Sequence, residues 1–282
     1  MRPRRFIAPS AVVWLLFGAG YFLIPLIATF FFSMRHEATG KCCTLANYGV
    51  IIHDPSFWKN IKTSFIIAIE TIVISLGLLI PTVYWVHLKV PRLRPVLGFL
   101  ALVPFVVPPI ILVVGLLDVF RPSTGTMHWL GDAIGVVPGL DSHSFYSQPY
   151  GFLAAAYVIL AFPYVYFALD AGFRAIDIHT LTEASQSLGG TWRVTLLRVI
   201  LPNIKTAALA GAFLTLAIVM GEFTIANLSA FHTFPIYIQQ VNQDKLYAAS
   251  AVSLLSFVIT WAAMVSLLFF GRGRQVQVGG AR

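Results

Sequence analysis

The sequence predicts an all-α membrane protein of six transmembrane helices, with a helical loop between spans 4 and 5. Three observations carry this. First, the 282 residues are 58% hydrophobic and only 11% charged, with mean hydropathy +0.82. Soluble proteins carry roughly 25% charged residues, so much of this surface must meet something other than water. Second, six apolar runs approach or exceed the length needed to cross a ~30 Å hydrocarbon core at ~1.5 Å per helical residue. Third, one long amphipathic, mixed-charge segment, Glu183 to Pro202, lies between two of those runs.

Taken in order, MRPRR is followed by an uncharged run from Ala11 to Ser33. A basic start and an apolar run also describe a signal peptide. This run is too long for one and has no small-residue cleavage site, so a retained first helix is expected. Arg35 to Lys62 is polar and turn-rich. The second span covers Ser64 to Val86, interrupted by Glu70, with Pro81 near its end. Lys89, Arg92 and Arg94 fill the short turn HLKVPRLRP. The third span, Val96 to Leu117, holds Pro104, Pro108 and Pro109, whose freed carbonyls neighbouring spans can satisfy. Asp118 to Pro149 is a Gly/Pro/Ser-rich loop in which MHWLGDAIG has the pattern of a short surface helix. The fourth span, Tyr150 to Leu169, should kink at Pro163. Thr206 to Leu228 and Ala248 to Phe270 complete the six. A membrane domain of residues 11–270 is thus flanked by residues 1–10 and a basic tail, 271–282.

Net charge of +8 and a pI near 9.7 raise the question of nucleic acid, but the distribution points to membrane topology. Six spans put both termini on one side. Thirteen Lys and Arg fall on that side, in the N-terminus, the second turn, the amphipathic segment and the tail, against six on the other. Cytoplasmic loops carry the excess of positive charge, so the termini and the amphipathic segment are expected in the cytoplasm.

Within that segment, Thr180 or Thr182 can cap a helix, with Glu183 in its first turn. Gly189-Gly190 permits a tight turn. Trp192, Val194, Leu196, Leu197 and Val199 follow, with Arg193 and Arg198 interspersed, and Pro202 ends that helix or starts the next. The expectation is helix, turn, helix: a surface knob that another protein could grip. An ordinary interfacial helix is the plain alternative.

Chemistry of other kinds is missing from the pattern. There is no G-x-x-x-x-G-K-[S/T] phosphate loop, no H-E-x-x-H and no G-x-S-x-G, and the seven histidines are scattered. No catalytic residue, metal ligand or cofactor is assigned. Cys42-Cys43 has no second pair with which to build a disulfide framework or a metal site, leaving no role, a vicinal disulfide or a reactive thiol.

The spacing from Glu183 onward resembles the cytoplasmic EAA loop of ABC importer permeases: Glu-Ala-Ala, three residues, Gly, nine residues, Ile, one residue, Leu-Pro. Glu183 and Ala184 match, Ser185 replaces the second Ala, Gly189 falls at the Gly, Val199 stands for the Ile, and Leu201-Pro202 closes the pattern. The resemblance implies a coupling helix shaped by Glu183, Ala184 and Gly189, with Ser187, Leu188 and Thr191 at the docking surface. It also implies two ATP-binding subunits that hold the ATP and Mg, a second permease, an extracytoplasmic solute-binding protein and a bacterial inner-membrane location. ATP binding would then draw the coupling helices together and switch the pathway from inward- to outward-facing.

Glu70 and Glu222 lie inside apolar spans, where ionisable residues are functional candidates. At ~1.5 Å per residue from their span ends, both fall in the outer half of the membrane. Either they line the pathway and attract a cation, or they bond neighbouring helices. Aromatic side chains such as Phe223, Tyr166 and Trp85 could stack on a cation, or belong to interface belts or core. TLANY with DPSFWKN, and MGEFTIANLSAF around Glu222, resemble the corresponding regions of spermidine and putrescine permeases. Related Gly-Glu-Phe stretches occur in oxyanion permeases, and VPPIILVVGLL replaces the polar, arginine-containing third-span segment of many polyamine permeases. A polyamine is the expected cargo, with sugars, ferric iron and oxyanions open within the class. A stand-alone channel, secondary transporter or intramembrane enzyme is the rival.

Overall fold

The computed structural model describes residues 9–36, 39–119 and 149–271, and every regular element among them is helical. The proposed surface helix in MHWLGDAIG, the N-terminal arginines and the basic tail lie outside the described residues. We number the helices α1 (Pro9–Ser33), α2 (Ala46–Ile52), α3 (Pro55–Lys89), α4 (Arg94–Val106), α5 (Pro109–Val119), α6 (Pro149–Arg174), α7 (Ile178–Ser187), α8 (Trp192–Asn203), α9 (Lys205–Gly221), α10 (Thr224–Leu228), α11 (Phe234–Asp244) and α12 (Leu246–Gly271). The chain divides into two compact units, residues 1–58 with 237–259, and 59–236 with 260–282.

In the first unit α1 exposes apolar side chains along its length, from Trp14 and Phe17 to Phe30 and Phe31. Such a surface needs lipid or another protein's apolar face to cover it. Its C-terminus is closed by Asn47 of α2, whose amide donates to the carbonyls of Ser33 and Arg35 at 2.8 Å each. Ser33 and Tyr48 share a hydroxyl bond at 2.6 Å. Asp54 accepts from the Ser56 amide at 2.8 Å and the Tyr237 hydroxyl at 2.7 Å. Burial works to raise the Asp54 pKa, but those bonds outweigh it and hold the carboxyl below its usual range. Cys42 and Cys43 are exposed with sulfurs 2.8 Å apart, and Cys43 takes the left-handed φ of 79°.

In the second unit α6 and α9 pack through small residues. A Cβ at Gly172 would run into the Cβ of Ala207, and one at Gly211 would lie 3.4 Å from the Val165 backbone. Close backbone approach through Gly and Ala is the usual way helices pack in lipid. Around this contact Val83, Tyr84, Ala161, Leu169, Phe173, Ile200 and Ile204 form a buried core.

Among the described residues, four helices are long and apolar enough to span a membrane, and up to six spans result if each of two bent pairs counts as one. The third expected span is such a pair: α4 and α5 meet at 100°. The residue before a proline is driven out of the helical region, and Val107, before Pro108, is extended at ψ 118°. In the fifth, the helix stops at Gly221 rather than running to Leu228, and it bends by 77° from α8. Helix α3 runs well beyond the Ser64–Val86 span expected for it, from Pro55 to Lys89.

Candidate functional site

The Glu183–Pro202 segment forms two helical arms joined by a glycine turn. Asp177, not Thr180 or Thr182, caps the first arm. Its carboxylate accepts from the Thr180 amide at 3.2 Å and the Thr180 hydroxyl at 2.7 Å. These two bonds, the hydroxyl foremost, hold its pKa below the ordinary carboxylate value. Helix α7 therefore starts earlier than expected, and Glu183 sits in its second turn rather than its first.

The turn is a Schellman closure. The Gly189 amide donates to Gln186 O and the Gly190 amide to Ser185 O, both at 2.9 Å. Gly189 takes φ +80°, which a side chain resists, and a Cβ on Gly190 would lie 2.5 Å from Ser185 Oγ and 2.7 Å from its carbonyl oxygen. Thr191 then starts the second arm, its hydroxyl near the Val194 amide at 3.5 Å. Thr195–Ile200 is wound as a π-helix. The proline ring of Pro202 would strike the carbonyl four residues back in an ordinary α-turn, and the wider turn relieves this.

The knob is held from behind. Ser185, where the pattern has its second Ala, is buried and bonds Thr195 Oγ1 at 2.8 Å, tying the two arms together. Thr182 receives Tyr84 of α3 at 3.1 Å. Ile178, Leu196 and Ile200 enter the core. The outward side carries Glu183, Ala184, Ser187, Gly189 and Thr191, all exposed, and Leu188 at 89% exposure. Trp192 and Leu197 add apolar surface beside it. Leu201 is half-buried and Pro202 exposed.

The membrane-embedded candidates fall at two levels. Glu222 ends α9, and its carboxylate accepts from the Ile225 amide at 2.8 Å, the Ala226 amide at 3.3 Å and the Tyr157 hydroxyl at 3.0 Å. It thereby caps α10, and Phe223 beside it is 36% exposed. Tyr166 lies nine residues beyond Tyr157 on α6, or ~14 Å along the axis. It is buried and donates to the Arg94 carbonyl at 3.2 Å, so it keeps company with Asp170 rather than Glu222. Glu70 has its Oε2 buried without a hydrogen-bond partner among the described residues.

Tyr84, Tyr157 and Asp177 are contributors that sequence reasoning did not single out, and Ser185 enters there only as a replacement in the loop pattern. For Asp177 a signal existed, an Asp three residues before Thr180 at a helix start. The tyrosines depend on packing across the chain and left none.

No family model matches the chain. Over 66% of its length it is 27% identical to the spermidine/putrescine transport system permease protein PotB of Salmonella typhimurium (strain SL1344), covering 62% of that protein. The likeness to PotB of Escherichia coli (strain K12) has the same identity and covers 65% of that protein. The sn-glycerol-3-phosphate transport system permease protein UgpA of Agrobacterium fabrum (strain C58) is 24% identical over 65% of the chain and 61% of its own length. The match thus spans less than two thirds of each relative. In fold, a chain of a bacterial alginate ABC transporter, solved with an alginate pentasaccharide-bound periplasmic protein, superimposes with TM-score 0.65 at 15% identity, over 96% of this chain and 94% of that one. A second structure of a bacterial alginate-importing ABC transporter gives 0.66 at 14%, over 94% and 93%. In sequence the chain is thus similar to permease proteins of transport systems, and in fold to chains of bacterial ABC transporters.

Proposed function

We propose that the chain is the membrane-spanning subunit of an ATP-driven, binding-protein-dependent importer, and that its cargo is a polyamine such as spermidine or putrescine. The observation that carries the transport reading is the knob: an exposed, apolar-tipped surface backed by Tyr84, Ser185 and the buried core. A surface built this way can transmit force without absorbing it. Two ATP-binding subunits would dock there and hold the ATP and Mg, and a second permease and a solute-binding protein would complete the assembly. The Lys and Arg distribution supports a cytoplasmic knob and cytoplasmic termini.

The polyamine reading is supported by the names of the PotB relatives and by two carboxylates in apolar surroundings, Glu70 within α3 and Glu222 at the end of α9. The test is ATP-dependent uptake by the reconstituted complex, comparing labelled spermidine with a sugar and an oxyanion. Spermidine uptake that needs both ATP and a co-purifying ATPase is the expected outcome. Uptake of glycerol phosphate or sugar alone would keep the importer and discard the polyamine. Uptake that persists without an ATPase would instead mean a channel or secondary transporter.

A further inference from the structure

A groove of ≈ 660 Å³ opens where α4 begins and α6 ends, lined by Pro91, Arg94, Tyr166, Phe167, Asp170 and Arg174 among others. Arg174 closes α6 and Ile178 opens α7, so the groove sits at the membrane surface from which the knob projects. Its charges do not balance. Asp170 Oδ1 accepts from His87 Nε2 at 2.8 Å, and Oδ2 accepts from Arg174 at 2.6 Å. Arg94 reaches the same carboxylate only at 3.4 Å, and its Nε is buried without a partner among the described residues. One carboxylate therefore faces two guanidinium groups, and one positive charge remains even with His87 neutral. The Arg174 side chain is 63% exposed, so its remaining donors stay available at the rim. Exposed Lys89 and Arg92 lie in and beside the adjoining turn.

We propose that this groove holds the phosphate of an anionic phospholipid headgroup. Guanidinium groups match phosphate oxygens in geometry and charge, and basic pockets between membrane helices at the cytoplasmic surface suit such headgroups. Soluble phosphate offers the same oxygens, but it would leave the apolar walls of Pro91, Pro95, Phe167 and Ala171 uncovered. A lipid covers them with its glycerol and upper acyl chain. The inference rests on α6 being a membrane span and is independent of the cargo.

The experiment is native mass spectrometry of the detergent-solubilised full chain, titrated with phosphatidylglycerol, phosphatidylcholine or inorganic phosphate. Phosphatidylglycerol should bind more tightly than phosphatidylcholine. Its affinity should fall about five-fold for each of Arg94→Gln and Arg174→Gln, while Arg92→Gln, outside the groove lining, leaves it unchanged. Arg174→Gln keeps the His87–Asp170 bond and serves if the Arg94 variant does not fold. Equal binding of the two lipids would overturn the proposal. So would a groove variant that matches Arg92→Gln, or displacement of phosphatidylglycerol by equimolar inorganic phosphate.

Discussion

Among the described residues of 59–236, the helix break at Gly189-Gly190 and the one after Gly221 are closed by opposite means. At Gly189-Gly190 the backbone closes itself, with amides returned to Gln186 and Ser185 and no charged group involved. Beyond Gly221 a side chain does the work: the Glu222 carboxylate takes the Ile225 and Ala226 amides and the Tyr157 hydroxyl. The first closure is indifferent to protons and ions in its surroundings. The second depends on carboxylate oxygens for which a cation can compete. A part that must transmit motion benefits from the first kind, and a part that must respond to a charged solute benefits from the second.

The largest effect should come from filling the glycine turn. Gly190→Val places a Cβ where the Ser185 carbonyl oxygen stands 2.7 Å away, and that oxygen cannot retreat without releasing the Gly190 amide. Overpacking of this sort costs about 1–3 kcal/mol. Because the Ser185–Thr195 bond lies directly behind, both arms should loosen together. If an ATPase docks on the knob as proposed, its co-purification should be lost while the chain still inserts in the membrane. Unchanged ATPase retention and thermal stability would mean that the turn is not what holds the knob in shape.

Next in size is the carboxylate closure. Glu222→Ala removes all three acceptor contacts, and loss of a helix cap costs about 0.5–2 kcal/mol. Glu222→Gln retains a carbonyl acceptor for the Ile225 amide and can donate to Tyr157, giving up only the longer Ala226 contact, so its stability should stay close to the parent. The pair of variants divides two roles of one residue. If the charge also attracts the cargo, Gln should reduce spermidine uptake while thermal stability holds. If Gln transports like the parent and only Ala is impaired, Glu222 is a cap and nothing more.

These two closures also differ in how legible they were. The glycine turn could be read from the sequence because only glycine tolerates that backbone, and the break was expected where it occurs. The Glu222 cap could not, since an acidic residue in an apolar run looks the same whether it faces a pathway or folds back on its own chain. Pro104, Pro108 and Pro109 read as tolerated within one span, whereas the chain bends by 100° between α4 and α5 and packs α5 beside α10, a contact no local pattern encodes. Helix α11 was not foreseen, because FPIYIQQVNQD is too polar for a span. The buried face of the knob was hidden for a related reason: Tyr84 and Thr182 are 98 residues apart.

The smallest effect would sharpen the contrast within the knob itself. Its first arm begins with a charge-dependent cap at Asp177 and ends in the charge-independent glycine turn, so the two ends should part company in acid. The folded Asp177 pKa lies below the ordinary carboxylate value, chiefly because Thr180 donates to it. Its stabilising contribution is therefore complete above the unfolded value of about 3.9 and is lost as pH falls through the lower, folded value. Hydrogen-exchange protection of the Thr180 amide, corrected for intrinsic rate, should be flat down to about pH 5 and fall below about pH 4. The Gly189 and Gly190 amides should keep their protection across that range. Asp177→Asn supplies an uncharged cap of similar quality and should flatten the Thr180 curve. If the Thr180 and Gly190 amides lose protection together, or if the Asn variant shows the same acid dependence, the knob opens as one unit and Asp177 does not govern its first turn.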